Sequence, residues 1–375
     1  MIEHISNRCD ILTDTTVYPY EHVKRKFVGG FSKDQLVENA RMPGLAGPRD
    51  LPANQSIPPS KHFVGRYLFA GPMWNHFGHV LVDCLHRIWP LTEAPSAFDG
   101  LVFSNVVNLR PSATTAIPPF VPQLLAMMGI PSIPIILVDE PTSFDELFIP
   151  RLGSVFQIGY RPFYKRYLQK YQENITKNVG LLRQKAPKRI FYGRNHALRD
   201  GGIIGSSYFE DMLADAGFVS CVPEEMSLRL QFSYIMNASD IIFEEGSAIH
   251  LTDILLNVPA KIRMLPRRRG DKVFYPALIN RTPYFENLAS DDNIFRLKDR
   301  NGNISPASLT LYRQPELVHS RIAKHFQIPK FDMKLYKEME DLDHKRSPAK
   351  DAVRQERTDI INAIRDGNIY NYEQF

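Results

Sequence analysis

The sequence predicts an α/β protein with more than one core, and three observations lead there. From residue 189 onward, short apolar runs alternate with amphipathic stretches at the spacing of parallel strand–helix units. Residues 67–149 show the same alternation. The chain has 375 residues, 43% apolar and 23% charged. That is an ordinary globular composition on a length that suits two hydrophobic cores.

Residues 1–60 are rich in proline and carry no clear period, so they are expected to be irregular. Tyr67–Ala70 reads as a strand running into Gly71-Pro72-Met73-Trp74. Asn75–Leu91 reads as a helix, Leu101–Phe103 as a strand and Phe120–Met128 as a helix. Ile133–Val138 and Glu146–Ile149 read as two further strands. The apolar region Ala116–Val138 is interrupted by prolines at 118, 119, 122, 131 and 134, which prevents one uninterrupted membrane helix. A polar, basic helix over 160–187 is expected to bridge the halves. Strand Arg189–Tyr192 then leads to a helix at Ser207–Ala216, with Ser206 or Ser207 as cap and Glu210 and Asp211 in its first turn. Strand Val219–Val222, helix Ser227–Ala238, strand Asp240–Phe243, helix Ala248–Leu256 and strand Lys261–Leu265 follow. From Lys334 the chain is highly charged and reads as a helical tail folding back on the first half. The expected domains are therefore 1–160, 161–187 (linking helix), 188–315 and 316–375 (helical tail).

Lysine and arginine exceed aspartate and glutamate by 46 to 41, a net charge of +5. This excess suits an anionic ligand or an anionic lipid surface and falls short of a dedicated nucleic-acid binder. Cys9, Cys84 and Cys221 lie far apart without CxxC spacing, which argues against a disulfide framework or a zinc site. The first eight residues lack the apolar run of a signal peptide. The expectation is a cytoplasmic protein with peripheral contact at the inner membrane.

Two turns carry the most chemistry. The strand Arg189–Tyr192 ends in Gly193-Arg194-Asn195, with Arg199 just beyond and Gly201-Gly202 after it. The strand Asp240–Phe243 ends in Glu244-Glu245-Gly246-Ser247, with His250 one turn later. Ligands of open parallel sheets bind at such carboxyl ends. Arg194 and Arg199 suit a phosphate or diphosphate, and the amides of Gly246 and Ser247 open a helix, where anions also bind. Glu245 or Glu225 suits a ribose or sugar hydroxyl, because a carboxylate accepts hydrogen bonds in pairs. The plain alternative is surface arginines beside an ordinary Ser-capped turn.

In the expected helix 75–91, His76, His79, Asp83, His86 and Arg87 fall within an arc of roughly 100°. An amphipathic helix normally offers lysine and glutamate there; histidine moves protons near neutral pH. His79 or Asp83 is therefore the candidate general base, with His76 or Arg87 tuning it. His76, His79 and Asp83 could also supply three zinc ligands, but no second segment offers a fourth, so no metal is expected. Arg263, Arg267, Arg268, Arg269 and Lys272 form the densest basic cluster, a solvated loop or a polyanion surface. Asp341-Leu342-Asp343 has DxD spacing, but no strand precedes it.

In order, these features resemble glycosyltransferase family 61. The family's helix start, of Asn-x-Gly-His type with a later arginine and aromatic, corresponds to His76-Phe77-Gly78-His79 through Arg87 and Trp89. Its strand ending in two arginines corresponds to Arg194 and Arg199. Its Pro-Glu-x-x-Ser segment and following glutamine correspond to Pro223, Glu224 or Glu225, Ser227 and Gln231. Its His-Gly-Ala/Ser turn corresponds to Glu245-Gly246-Ser247. His76 stands where asparagine is frequent and Glu245 where histidine is frequent. The resemblance implies a GT-B-like fold, two Rossmann-like domains facing a cleft. It also implies an inverting transferase of the bacterial polysaccharide type, and no metal is required where the two arginines offset the charge of the leaving group. The donor would be a nucleoside diphosphate sugar, UDP first. The acceptor would be a growing glycan or lipid-linked glycan in capsule, O-chain or exopolysaccharide synthesis. A pyruvyltransferase or a non-catalytic polyanion binder are the alternatives.

Overall fold

The computed structural model describes residues 2–23, 26–35, 37–43, 47–53, 57–107, 116–270 and 274–367. Lys272 of the basic cluster lies outside the described residues. The chain is a mixed α/β protein and divides into two compact units. One comprises Met1–Gly180 with His250–Asn257 and Pro276–Arg281; the other comprises Leu181–Ile249, Val258–Tyr275 and Thr282–Phe375.

The first unit is built on a seven-stranded sheet. Its spatial order is Asp50–Ala53, Lys26–Ser32, Cys9–Val23, Thr142–Pro150, Lys61–Met73, Gly100–Val107, Ile135–Val138. Lys61–Met73 runs parallel to both of its neighbours, and Gly100–Val107 is parallel to Ile135–Val138. Cys9–Val23 pairs antiparallel with Thr142–Pro150 and with Lys26–Ser32. Val17, Phe31, Phe69, Val102, Phe144 and Ile149 pack into one core. Residues 1–60, expected to be irregular, thus hold three strands of this sheet. Thr15, Thr16, Val17, Tyr18 and Tyr20 are good strand formers. The polar residues among them hide the apolar alternation.

Asn75–Leu91 is not one regular helix. Phe77–His79 is a single α turn, Val80–Cys84 a π turn, and Leu85–Arg87 and Trp89–Thr92 are 3-10 turns. Every residue from Val80 to Leu91 is buried, so Asp83, His86 and Arg87 are not on a solvated face, whereas His76 is exposed and His79 half-buried. The wide π turn resets the angle between residues before and after it, which breaks the 100° arithmetic.

The second unit carries a five-stranded sheet in the order Val219–Cys221, Arg189–Tyr192, Asp240–Glu244, Lys261–Leu265, Phe285–Asn287, parallel throughout. Counted along the chain this is 2-1-3-4-5, a doubly wound order whose switch point lies between Arg189–Tyr192 and Asp240–Glu244. Helices Ser206–Asp215 and Leu228–Asn237 follow their strands. A side sheet of Ile203–Ile204, Leu309–Tyr312 and Ile294–Leu297 extends the unit. The charged tail forms helices Met333–Arg346 and Asp351–Arg365, and both pack on this second unit, not the first. Tyr336 joins Phe191, Phe209 and Tyr312, while Ile361 and Ile364 join Leu198 and Leu309. Asp343 caps the helix that Ser206 or Ser207 was expected to cap. Its carboxylate accepts from the amides of Gly205 (2.9 Å) and Ser207 (3.2 Å) and from the Ser207 hydroxyl (2.9 Å). Among the described residues no helix is long and apolar enough to cross a membrane.

Candidate functional site

In the first unit the short α turn is capped by His76, whose ring nitrogen accepts from the His79 amide at 3.4 Å. His79 then stacks on Trp74, centroids 4.3 Å apart, and lies beside His76 at 4.9 Å. Its Nδ1 meets Asp83 Oδ2 at 2.9 Å, while Asp83 Oδ1 takes a hydrogen bond from Arg49 at 2.7 Å. Asp83 is 2% exposed. Burial pushes its pKa up, but the His79 hydrogen bond and the Arg49 charge outweigh this and hold the carboxyl below the ordinary aspartate range. An ionised Asp83 at Nδ1 fixes the ring and leaves Nε2 as the atom that can take a proton. Arg49 was not foreseen; it lies in the segment read as irregular, with no local pattern to mark it.

Two other members of the stripe are structural. The buried Arg87 guanidinium donates to the carbonyls of Asn39 (3.2 Å) and Arg41 (2.9 Å) and to that of Asp83, tying the 39–41 segment to the π turn. His86 is buried against the Tyr164 hydroxyl at 3.1 Å, and burial pushes its pKa down to about 3, so it stays neutral. His250 forms a second histidine–aspartate pair in this unit. Its Nδ1 lies 2.9 Å from Asp253 Oδ2, and Arg281 lies 3.5 Å from the other carboxylate oxygen. A cavity of about 370 Å³ lined by His4, Arg8, Phe163, Lys165, Arg166 and Gln169 contains none of the expected site residues.

In the second unit the two turns meet at the switch point. The Glu244 carboxylate accepts from the Arg194 amide (3.0 Å), the Ile203 amide (3.1 Å) and the Ser206 hydroxyl (3.0 Å). It thereby fastens the loop after the first strand to the end of the third. Burial raises the Glu244 pKa, against the pull of Arg194 and Arg267. The Arg194 side chain reaches back to the Gly201 carbonyl, with Nη2 at 3.3 Å and Nε at 3.4 Å. It lies flat over Gly246: a Cβ there would sit 2.8 Å from Arg194 Nη1. Ser247 opens a 3-10 turn, Ser247–Ile254, not the α-helix expected.

The remaining candidates separate. Arg199 is exposed and, among the described residues, makes no hydrogen bond or ion pair. Glu225 is exposed on the turn Pro223–Glu225, while its neighbour Glu224 meets His196 at 3.0 Å. Gln231 Nε2 donates to the carbonyls of Pro223 (2.8 Å) and Met226 (3.1 Å), and Ser227 caps the helix at Leu230. That segment shapes a turn. Glu245 is 3% exposed, and the amides of Arg267 (2.7 Å) and Arg268 (3.0 Å), with the Arg268 guanidinium, occupy its carboxylate. It holds the 266–268 turn, a role the sequence did not signal. The basic cluster also disperses: Arg263 pairs with Asp240, Arg268 with Glu245, and Arg269 donates to the Ile294 carbonyl. Among the described residues no group of three or more histidine, cysteine, aspartate or glutamate side chains converges as a metal site would.

No curated protein matches the chain. Residues 77–255 match the family model described as Glycosyltransferase 61, a segment that contains the His79–Asp83 pair, the Arg194 loop and the Gly246 turn. This segment is similar to glycosyltransferase family 61, and it supports a glycosyltransferase, an enzyme that moves a sugar from a donor to a glycan acceptor.

Proposed function

We propose that the donor is a nucleoside diphosphate sugar, UDP first, and that it binds at the switch point of the second unit. The observation that carries this reading is the meeting of Arg194 with Gly246 at the carboxyl ends of the two strands where the order reverses. The Arg194 guanidinium stands where diphosphate charge grows as the donor bond breaks. The Gly246 and Ser247 amides add donors at the start of the following turn.

The first unit supplies the acceptor side. His79 Nε2 removes the proton of an acceptor hydroxyl, whose oxygen bonds to the anomeric carbon as the carbon–phosphate oxygen bond breaks. Asp83 holds the ring and stabilises the imidazolium that forms. Displacement in line inverts the anomeric centre, in a GT-B-like, metal-independent enzyme that extends a polysaccharide or lipid-linked glycan of the bacterial capsule or O-chain type. The cytoplasmic face of a membrane suits such an acceptor.

Calorimetry with UDP tests the donor placement. Arg194→Ala should weaken binding by about 1.5–3 kcal/mol, the range for a hydrogen bond to a charged group. Unchanged affinity would remove the switch point as the donor site. Transfer from phosphoenolpyruvate in place of nucleotide sugars would replace glycosyl transfer with pyruvyl transfer.

A further inference from the structure

We infer that Arg267, not Arg199, is the second cation of the donor site, and that its guanidinium and that of Arg194 together grip the donor diphosphate. The inference rests on the switch point being the donor site. Arg267 lies beyond the family match, in the basic cluster read as a solvated loop or a polyanion surface. Its side chain is 6% exposed. Nearly everything except the end of the fork is fixed. The amide donates to Glu245 Oε2 at 2.7 Å, Nε donates to the Glu245 carbonyl at 2.7 Å, and the Arg267 carbonyl accepts from Thr310. Nη1 and Nη2 have no hydrogen-bond partner among the described residues.

Gly201 links the two arginines. Its carbonyl accepts from Arg194, and its Cα faces Arg267: a Cβ there would lie 2.5 Å from Arg267 Nη1. With φ at +89° a side chain at this position would be strained in any case. The nearby carboxylates attract the pair but are bonded elsewhere. Glu244 is taken by two amides and a hydroxyl, Glu245 by two amides and Arg268, and neither forms an ion pair with Arg194 or Arg267. Burial, then the like charge of Arg194, pushes the Arg267 pKa down to about 10, against the opposing pull of Glu245 and Glu244. A buried, preorganised fork with open ends beside a second guanidinium fits a bidentate dianion, and a diphosphate is the group a glycosyl donor brings. Arg199, by contrast, is exposed and unanchored.

The test compares Arg267→Gln, Arg267→Lys and Arg194→Ala by calorimetry with UDP, inorganic pyrophosphate and uridine, and by donor and acceptor KM. Arg267→Gln should weaken UDP and pyrophosphate by roughly tenfold to a hundredfold, the weight of a charged hydrogen bond, and leave uridine unchanged. The donor KM should rise while the acceptor KM stays. Arg267→Lys, which keeps the charge without the fork, should fall between. The unliganded Gln variant should melt no lower than the wild type, because an unpaired buried charge is removed. Wild-type pyrophosphate affinity in Arg267→Lys, or a lower melting point with intact binding in Arg267→Gln, would overturn the assignment and make Arg267 a packing residue. A rise in acceptor KM alone would place the pair on an acceptor phosphate and also overturn it. Weakened binding in Arg194→Ala only would refute Arg267 and spare the switch point; no effect in either would refute both.

Discussion

His79 shows how much one side chain depends on its setting. Its ring is held by the Trp74 stack and the Asp83 hydrogen bond, and its backbone amide by the His76 cap, a fixed imidazole suited to proton transfer. General base catalysis contributes typically 10²–10⁴-fold, so His79→Ala should lower turnover by about that factor with UDP affinity unchanged. Steady-state kinetics beside calorimetry decides it; near-normal turnover would return His79 to a packing role. Asp83 has a separate signature in acid. Its folded pKa lies below the ordinary value, so its contribution to stability is complete above the normal aspartate range and is lost as pH falls through the depressed value. Asp83→Asn should flatten the acid limb of a stability–pH profile measured by urea unfolding, and an unaltered limb would contradict this. Gly246 gives the converse case. Gly246→Ala pushes a Cβ against the far end of Arg194, so UDP binding should weaken by at least about tenfold while the melting temperature stays nearly constant.

At the scale of elements, the loop from Arg194 to Ser206 is held from outside itself. Glu244→Ala strips the acceptor from two amides and a hydroxyl, which should cost about 3 kcal/mol of stability and loosen the donor loop. Equilibrium unfolding measures the first effect and UDP affinity the second. The strands Arg189–Tyr192 and Asp240–Glu244 were legible in the sequence because a short apolar run followed by Gly, Asn or Ser is local chemistry. The His79–Asp83 pair was legible too, since at a spacing of four the two side chains still meet, at 2.9 Å, as the π turn begins. The remainder of that segment was not, because the π turn changes the period and the sheet above buries the polar face. Asp343 could not be read at all: it caps a helix 138 residues earlier, and no window along the chain contains both partners.

Over the whole molecule, the sequence put Arg194 and Gly246 at strand ends, but it did not single out Arg49 and it read Arg267 only as part of a basic cluster, because tertiary packing sets the surroundings of both. If guanidinium groups offset the charge of the leaving diphosphate, transfer should persist in excess EDTA; complete loss restored by manganese would refute a metal-independent reaction. The division of the chain has a further consequence, for synthesis. The first unit includes His250–Asn257 and Pro276–Arg281. The Arg281 side chain is anchored there on the carbonyls of Leu255 (3.0 Å), Ala277 and Asp253 (3.1 Å). On the ribosome, then, the first unit cannot finish folding when residue 180 emerges; it waits until residue 281 has cleared the exit tunnel, after most of the second sheet. N-terminal units usually fold first during translation. Here the order is tied to a segment made late, and nascent chains arrested near residue 200 should remain protease-sensitive throughout the first unit, becoming resistant only beyond Arg281.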